Sequence, residues 1–404
     1  MGSSPLARTA GYTPLRIEAR IRAFESFGIH RTGWPADDQT SDWLIEELAA
    51  AGVTAEAERF SFPRFEVKQA RVRLGDEVFA GLPLHDAGVT DPGGIDGEIC
   101  DDSDEDVFGK VVLATSAQRR DSAWSGPALD ERIEELTDRG AIGILIPSGD
   151  RDGELVARNA ARIDRPHLLP VLQVKPAAAR ALQAATVIRG EVVLEIDADL
   201  LRSNASNVIA TIEGSRPELP PIGIVTPKSG WFSCAAERGG GIAIFLALAE
   251  SLASTAPLER TVHLLASSGH ELNFFGIRSY ARIHRDRIVD ASAWLHLGAS
   301  IGAREPRAAT AASDDALHEL TATAVARAGI APDEVRPPGP SRGGEALVIS
   351  ELGTRYVSFL GGHAYFHSPN DTVDRAVDAE SVSRWAHASL EVLNGLLELR
   401  SEGE

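Results

Sequence analysis

Apolar residues recur at helical spacing over 15–27, and again where Trp43, Leu44, Leu48 and Ala49 share one face. Two helices are therefore expected to open the chain, joined by a turn-rich link over 28–39. Gly52 ends the second helix, and alternation over 53–62 predicts a strand. From 203 onward strand and helix patterns take turns. Strands are expected at 207–212, 222–226, 261–266, 293–297 and 355–360, and helices at 242–251, 272–280, 316–328 and 380–399. The run at 261–266 is apolar except for His263, as a strand covered on both faces would be. Such alternation predicts an α/β fold, a mostly parallel mixed sheet flanked by helices.

Between 66 and 200 the texture changes. Short strands are expected at 70–74, 77–80 and 110–114, and a helix over 128–139 leads into a strand at 142–146. An apolar run at 168–174 precedes a helix at 176–184 and a strand at 191–196, while the acidic run 101–106 reads as a solvated loop. No residue set for chemistry falls here, which predicts a lid or partner-binding module set between 1–65 and 201–404. Phe-Gly-Lys-Val-Val-Leu (108–113), Arg-Gly-Ala-Ile-Gly-Ile-Leu-Ile (139–146) and Leu-Pro-Val-Leu-Gln-Val (169–174) together resemble the β-rich protease-associated domain. That resemblance implies a module often inserted in aminopeptidases.

Bulk properties narrow the options. The 404 residues exceed a single ordinary core and suggest two domains. A net charge of −19 argues against nucleic acid and anionic membrane surfaces as partners. Two cysteines, Cys100 and Cys234, give neither a disulfide framework nor a thiolate metal cluster. The first 21 residues lack the apolar run of a secretory signal and no later run reaches spanning length, so a cytoplasmic protein is expected. Oligomeric state is left open, a homo-oligomer included.

Four expected strand ends carry the chemistry. The first reads Pro227-Lys-Ser-Gly-Trp-Phe-Ser-Cys-Ala-Ala-Glu-Arg-Gly-Gly-Gly241, the second His270-Glu271, and the third His296-Leu-Gly298. The fourth reads Gly361-Gly-His363-Ala-Tyr-Phe-His367-Ser-Pro-Asn-Asp371-Thr. Open α/β sheets place ligand sites beyond the carboxyl ends of their strands. Glu237, just before a helix, would also suit the helix dipole without any further role.

In order and spacing these ends resemble the zinc aminopeptidase family, which includes the glutaminyl cyclases and the transferrin-receptor fold. The likeness runs through 20–65 and 203–400. It implies two zinc ions and a base, but the carry-over is partial. Pro227 stands at the first metal's His, Ser229 at the Asp that would orient it, and Gly298 at the later Asp. Glu237 falls on the bridging Asp, His270 on the base Glu, Glu271 on the ligand Glu and His367 on the late His, with Asp371 placed to hold the His367 ring. The resemblance thus implies one divalent metal, zinc before manganese or iron, gripped by Glu237, Glu271 and His367.

His270 would take the proton from a metal-bound water, become a further ligand, or simply hydrogen-bond in the cleft. Lys228, Arg238 and Arg342 are the cations of the surrounding loops, Arg342 being the candidate for a substrate carboxylate. Trp231 and Tyr365, with Phe232 and Phe366, offer apolar walls. His296 and His363 read as structural. Three accounts follow. One is a metal-dependent hydrolase of an amide in a short peptide or N-acyl amino acid. The second is a catalytically inactive relative kept for binding. The third is a metal-free hydrolase using Cys234 or Ser229 as nucleophile.

Overall fold

Both opening helices begin with proline in the first turn, where its missing N–H costs nothing: α1 (Pro14–Ser26) and α2 (Pro35–Ala50). Thr13 caps α1 by accepting the Arg16 N–H. On α2, Leu44 and Leu48 are buried while Ala49 is exposed, so the inward face is narrower than the apolar pattern implied. In the computed structural model, residues 6–115, 127–255 and 257–399 are described.

Strand β1 (Ala55–Leu74) follows, and after it β2 (Glu77–Pro83), β3 (Ile95–Asp101), β4 (Val111–Leu113), α3 (Pro127–Asp138) and β5 (Gly143–Pro147). Then come β6 (Val171–Val174), α4 (Pro176–Val187) and β7 (Glu191–Ile212). The rest of the chain alternates: β8 (Ile222–Pro227), α5 (Gly239–Thr255), β9 (Val262–Ser267), α6 (Phe275–Ile283), α7 (Arg285–Val289) and β10 (Ala293–Leu297). It ends with β11 (Arg307–Ala312), α8 (Asp315–Arg327), β12 (Glu334–Val335), α9 (Glu345–Glu351), β13 (Tyr356–Gly362), α10 (Val373–Ala376) and α11 (Ala379–Leu397).

The strands expected at 53–62 and 70–74 are one strand, β1, and those at 191–196 and 207–212 are likewise one, β7. The two run antiparallel over nearly their whole length, from Ala55 opposite Ala210 to Leu74 opposite Val192. Pro63 lies inside β1 where β7 is its only strand neighbour, the edge setting in which a strand tolerates proline. This ribbon crosses positions 65 and 200 without a break. Beyond it, β1, β2, β6, β5, β4, β3 and β7 pair in a closed circuit, which removes the free edges of this part of the sheet.

In the main part the order is β7-β9-β8-β10-β13-β11-β12, with β9, β8, β10 and β13 parallel. β8, β9 and β10 are buried at every position, as expected for strands covered on both faces. Helix α5 is buried along nearly all of its length and so carries no polar face. Its glycine start is steric. A Cβ on Gly240 would lie 2.1 Å from the Ile301 carbonyl oxygen, so only glycine lets the helix close on the loop after β10. No helix among the described residues is long and apolar enough to cross a membrane.

Candidate functional site

The carboxyl ends of β8, β9, β10 and β13 converge, and the loops after them hold six non-glycine residues in the left-handed region: Cys234, Asn273, Phe274, Ser300, Glu305 and His367. Each such residue costs on the order of 1–3 kcal/mol, so the loops are held firmly by their surroundings. Glu237, Arg238, His270, Glu271, His296, Glu345, His367 and Asp371 are all buried there.

Glu237 and His367 meet. His367 Nε2 lies 3.2 Å from Glu237 Oε1. The other nitrogen, Nδ1, donates to the Ala157 carbonyl at 3.0 Å, which fixes the proton on that side of the ring. The expected holder, Asp371, does other work. Its carboxylate accepts the backbone N–H of Ala236 at 2.8 Å and of Glu237 at 3.0 Å, and it lies 3.3 Å from His363 Nε2. Asp371 therefore positions Glu237 through its backbone and leaves the His367 ring to Ala157. Arg238 Nη2 lies 2.6 Å from Glu237 Oε1, and its Nε donates to the Ser229 carbonyl at 2.7 Å. Both charge contacts to Glu237 miss hydrogen-bond angles, so its oxygens are held by electrostatics alone. Burial would raise the Glu237 carboxyl, but Arg238, His367 and His270 outweigh it and hold it well below the usual range.

Glu271 does not join them. Its Oε1 accepts the Thr32 N–H at 2.9 Å and the Thr32 hydroxyl at 2.6 Å, and its Oε2 accepts the Ser229 hydroxyl at 2.7 Å. Thr32 is itself set by the link after α1, where the His30 N–H donates to the Phe232 carbonyl and the Gly230 N–H to the His30 carbonyl.

His270 faces Glu345 instead. Its Nδ1 lies 3.0 and 3.2 Å from the two Glu345 oxygens, and His296 Nε2 lies 3.2 Å from Oε2. The Ser267 hydroxyl completes the carboxylate at 3.0 Å. Burial works to raise Glu345, yet His270 and His296 hold it well below the usual range. Burial also pushes His270 down, with Arg238 acting the same way against Glu345 and Glu237, so the ring is a neutral imidazole near neutral pH. The space at Gly298, where the resemblance puts a first-metal ligand, is filled. A Cβ on Gly298 would lie 2.8 Å from His296 Cε1 and 2.9 Å from the Phe359 carbonyl oxygen, and one on Gly344 would lie 2.3 Å from the same imidazole carbon.

The other predicted contacts divide. The Lys228 ammonium is buried on Asp37, donating to its carbonyl at 3.0 Å and to its carboxylate. Arg342 is exposed, and among the described residues no hydrogen bond or ion pair ties it to the buried cluster. Tyr365 sits at the rim beneath Arg151 and Arg375. Trp231 is buried and donates to Asn159 Oδ1 at 2.9 Å. Cys234 is buried beside Glu237 and Asp371, and burial with these charges pushes its thiol well up, against a nucleophilic role. The Ser229 hydroxyl is given to Glu271, and its oxygen accepts the His270 backbone N–H at 3.3 Å rather than facing the imidazole.

Three features lay outside the sequence reading. Thr32 sat in a stretch read only as a turn. Glu345 stood in the same Ser-Arg-Gly-Gly-Glu stretch as Arg342, and the glycine pair before it, of which Gly344 is pressed on His296, was the available signal. The third is segment 150–163, between β5 and β6, which lies across the cleft. Ala157 N–H donates to the His367 carbonyl at 3.0 Å and Ala160 N–H to the Glu271 carbonyl at 2.8 Å. Ser368 Oγ and Asn370 Nδ2 tie down the Asp150 carboxylate at 2.5 and 2.8 Å.

No family model matches the sequence, and neither does any curated protein. Solved structures do match in shape. A zinc aminopeptidase from Bacillus subtilis superposes with a TM-score of 0.77 at 16% identity, over 98% of each chain. A peptidase M28 precursor from Shewanella amazonensis gives 0.74 at 18% identity, over 95% of this chain and 93% of the other. A glutaminyl cyclase from Porphyromonas gingivalis gives 0.51 at 11% identity, over 95% and 98%. The chain has the zinc aminopeptidase fold.

That fold implies a metal, and the donor set is a poor match for one. Glu237 and His367 present a carboxylate and an imidazole Nε2 to one another, but Arg238 already supplies the positive charge beside Glu237, and Glu271 spends both oxygens on Thr32 and Ser229. Among the described residues no group of three or more His, Cys, Asp or Glu side chains is arranged to hold a metal ion. A zinc shell needs at least three protein ligands.

Proposed function

We propose that this chain uses the aminopeptidase fold as a binding scaffold in which protein groups have replaced the hydrolytic metal. The observation that carries this reading is Glu271. A carboxylate that accepts three short hydrogen bonds from buried donors would have to break them to reach an ion beside Glu237 and His367. The Arg238 guanidinium supports the same reading, since a dication would have to approach Glu237 against a buried positive charge. Calorimetric titration of the purified chain with zinc, alongside hydrolysis of aminoacyl anilides, tests it. The expected result is no stoichiometric zinc and no chelator-sensitive turnover. One zinc per chain with turnover abolished by chelator overturns it.

A second reading is favoured by the His270–Glu345 pair. A buried carboxylate that orients a neutral imidazole is the arrangement of a general base, and Arg238 could stabilise developing negative charge without metal. On this reading the chain hydrolyses an amide of a short peptide or N-acyl amino acid once segment 150–163 moves aside. Chelator-resistant hydrolysis lost in His270→Gln would select it over the scaffold reading.

A further inference from the structure

Beside Glu271 a cavity of about 350 Å³, its mouth included, opens between the link after α1, strand β1 and Ile163. Much of that volume is open mouth, so a molecule seated here lies partly in solvent. Its walls are aromatic: Trp34, Phe62, Phe65 and Trp231 line it, with Ile163 contributed by the segment that covers the cleft. Among these apolar walls lies one guanidinium without a matching anion. Arg31 stacks with Cζ 4.9 Å from the Trp34 ring centroid and 5.8 Å from that of Trp231, and its Nε donates to the Trp231 carbonyl at 3.3 Å.

Among the described residues Arg31 makes no salt bridge. The neighbouring charges are committed elsewhere: Arg64 to Glu66, and Glu271 to Thr32 and Ser229. Glu271 and Glu66 act on Arg31 only at longer range, while burial works against its charge. His85, also in the wall, is pushed down to about 3 by burial and by Arg31, so it adds no second cation at neutral pH. A half-buried charge with no ion-pair partner, set between two indoles at the edge of a cavity, is completed by an anion whose remainder is apolar.

We propose that this cavity binds a small carboxylate carried on a flat apolar body, the carboxylate pairing bidentately with Arg31 and the body lying against Trp34, Phe65 and Ile163. The proposal rests on the scaffold reading only in naming the ligand class, because no atom of the pocket takes part in bond cleavage. The test is calorimetric titration of the full chain with 3-phenylpropanoate and with its neutral amide. The acid is expected to bind one per chain, at least tenfold tighter than the amide, with the difference lost in Arg31→Gln. Should that variant melt early, Arg31→Lys keeps the charge but not the fork, and a several-fold weakening for the acid alone is expected. Equal binding of acid and amide, no binding of the acid, or full affinity in a folded Arg31 variant overturns the proposal. A zinc titration of the same sample separates the two ideas, since stoichiometric zinc with turnover would sink the scaffold reading while leaving the acid-over-amide preference to stand or fall alone.

Discussion

The Arg238 guanidinium stands 2.6 Å from Glu237 Oε1 where neither side chain reaches solvent. The pair comes from consecutive residues at the start of α5, so the fold delivers cation and anion together. Removing one partner of a buried pair costs roughly 3–5 kcal/mol because the other is left charged and alone. Arg238→Met is expected to lose stability of that order in urea unfolding. Glu237→Gln combined with Arg238→Met is expected to recover much of it, and a double-mutant cycle that sums to zero would show the contact contributes nothing.

Acid sensitivity follows from buried imidazoles. His30 stacks on Phe24 with centroids 3.8 Å apart, and burial with the nearby Lys228 pushes it down to about 3. His85 is down to about 3 and His263 to about 4, burial leading in each case. An unfolded imidazole titrates near 6.5, so between that pH and 3–4 the unfolded chain binds protons that the folded chain does not. Stability is therefore full above about pH 6.5 and falls as pH drops, by up to about 1.4 kcal/mol per pH unit for each group. Melting temperature is expected to fall steadily from pH 7 to pH 5, with a shallower slope in His30→Leu. An identical slope in that variant would remove His30 from the account.

These groups also mark what one sequence can and cannot convey. The buried parallel strands were legible because their apolar runs stand out, and β10 matches the expected range of 293–297. The join at Pro63 was hidden: proline argues locally for a break, and only pairing to β7 along one side tolerates it. At the site, Glu237 and His367 were found from their places at strand ends, and they do meet. The partner of Glu271 could not be found that way. Thr32 lies 239 positions away in a stretch with no periodic signal, and long-range hydrogen bonds leave no local trace. The same holds for Ala157, whose carbonyl sets the His367 ring although nothing in its side chain announces a role.

That carbonyl leads to a prediction about the covering segment. Segment 150–163 is fastened to the cleft by the backbone of Ala157 and Ala160 and by Asp150. Ala157→Pro removes the N–H that donates to His367, and Asp150→Ala removes the carboxylate held by Ser368 and Asn370. Together they are expected to raise hydrogen exchange in 150–163 and 366–372 by tenfold or more while leaving β8 and β9 protected. Faster exchange across all strands would instead mean that the segment is part of the global core.

Placing a carboxylate at 298, where the resemblance puts a first-metal ligand, should fail for a steric reason. An aspartate at 298 would place its Cβ 2.8 Å from His296 Cε1 and 2.9 Å from the Phe359 carbonyl oxygen. Real Cβ atoms do not sit that close, and the backbone oxygen belongs to the centre of β13 and has no room to retreat. Overpacking of this kind typically costs about 1–3 kcal/mol. Gly298→Asp is expected to lower the melting temperature and to gain no zinc affinity by calorimetry. His296→Ala relieves only the imidazole contact, so the double variant is expected to recover part of the stability and still leave zinc unbound. Tight zinc binding by Gly298→Asp alone would mean that His296 yields readily, and the first metal's place would then be closed by sequence drift and not by packing.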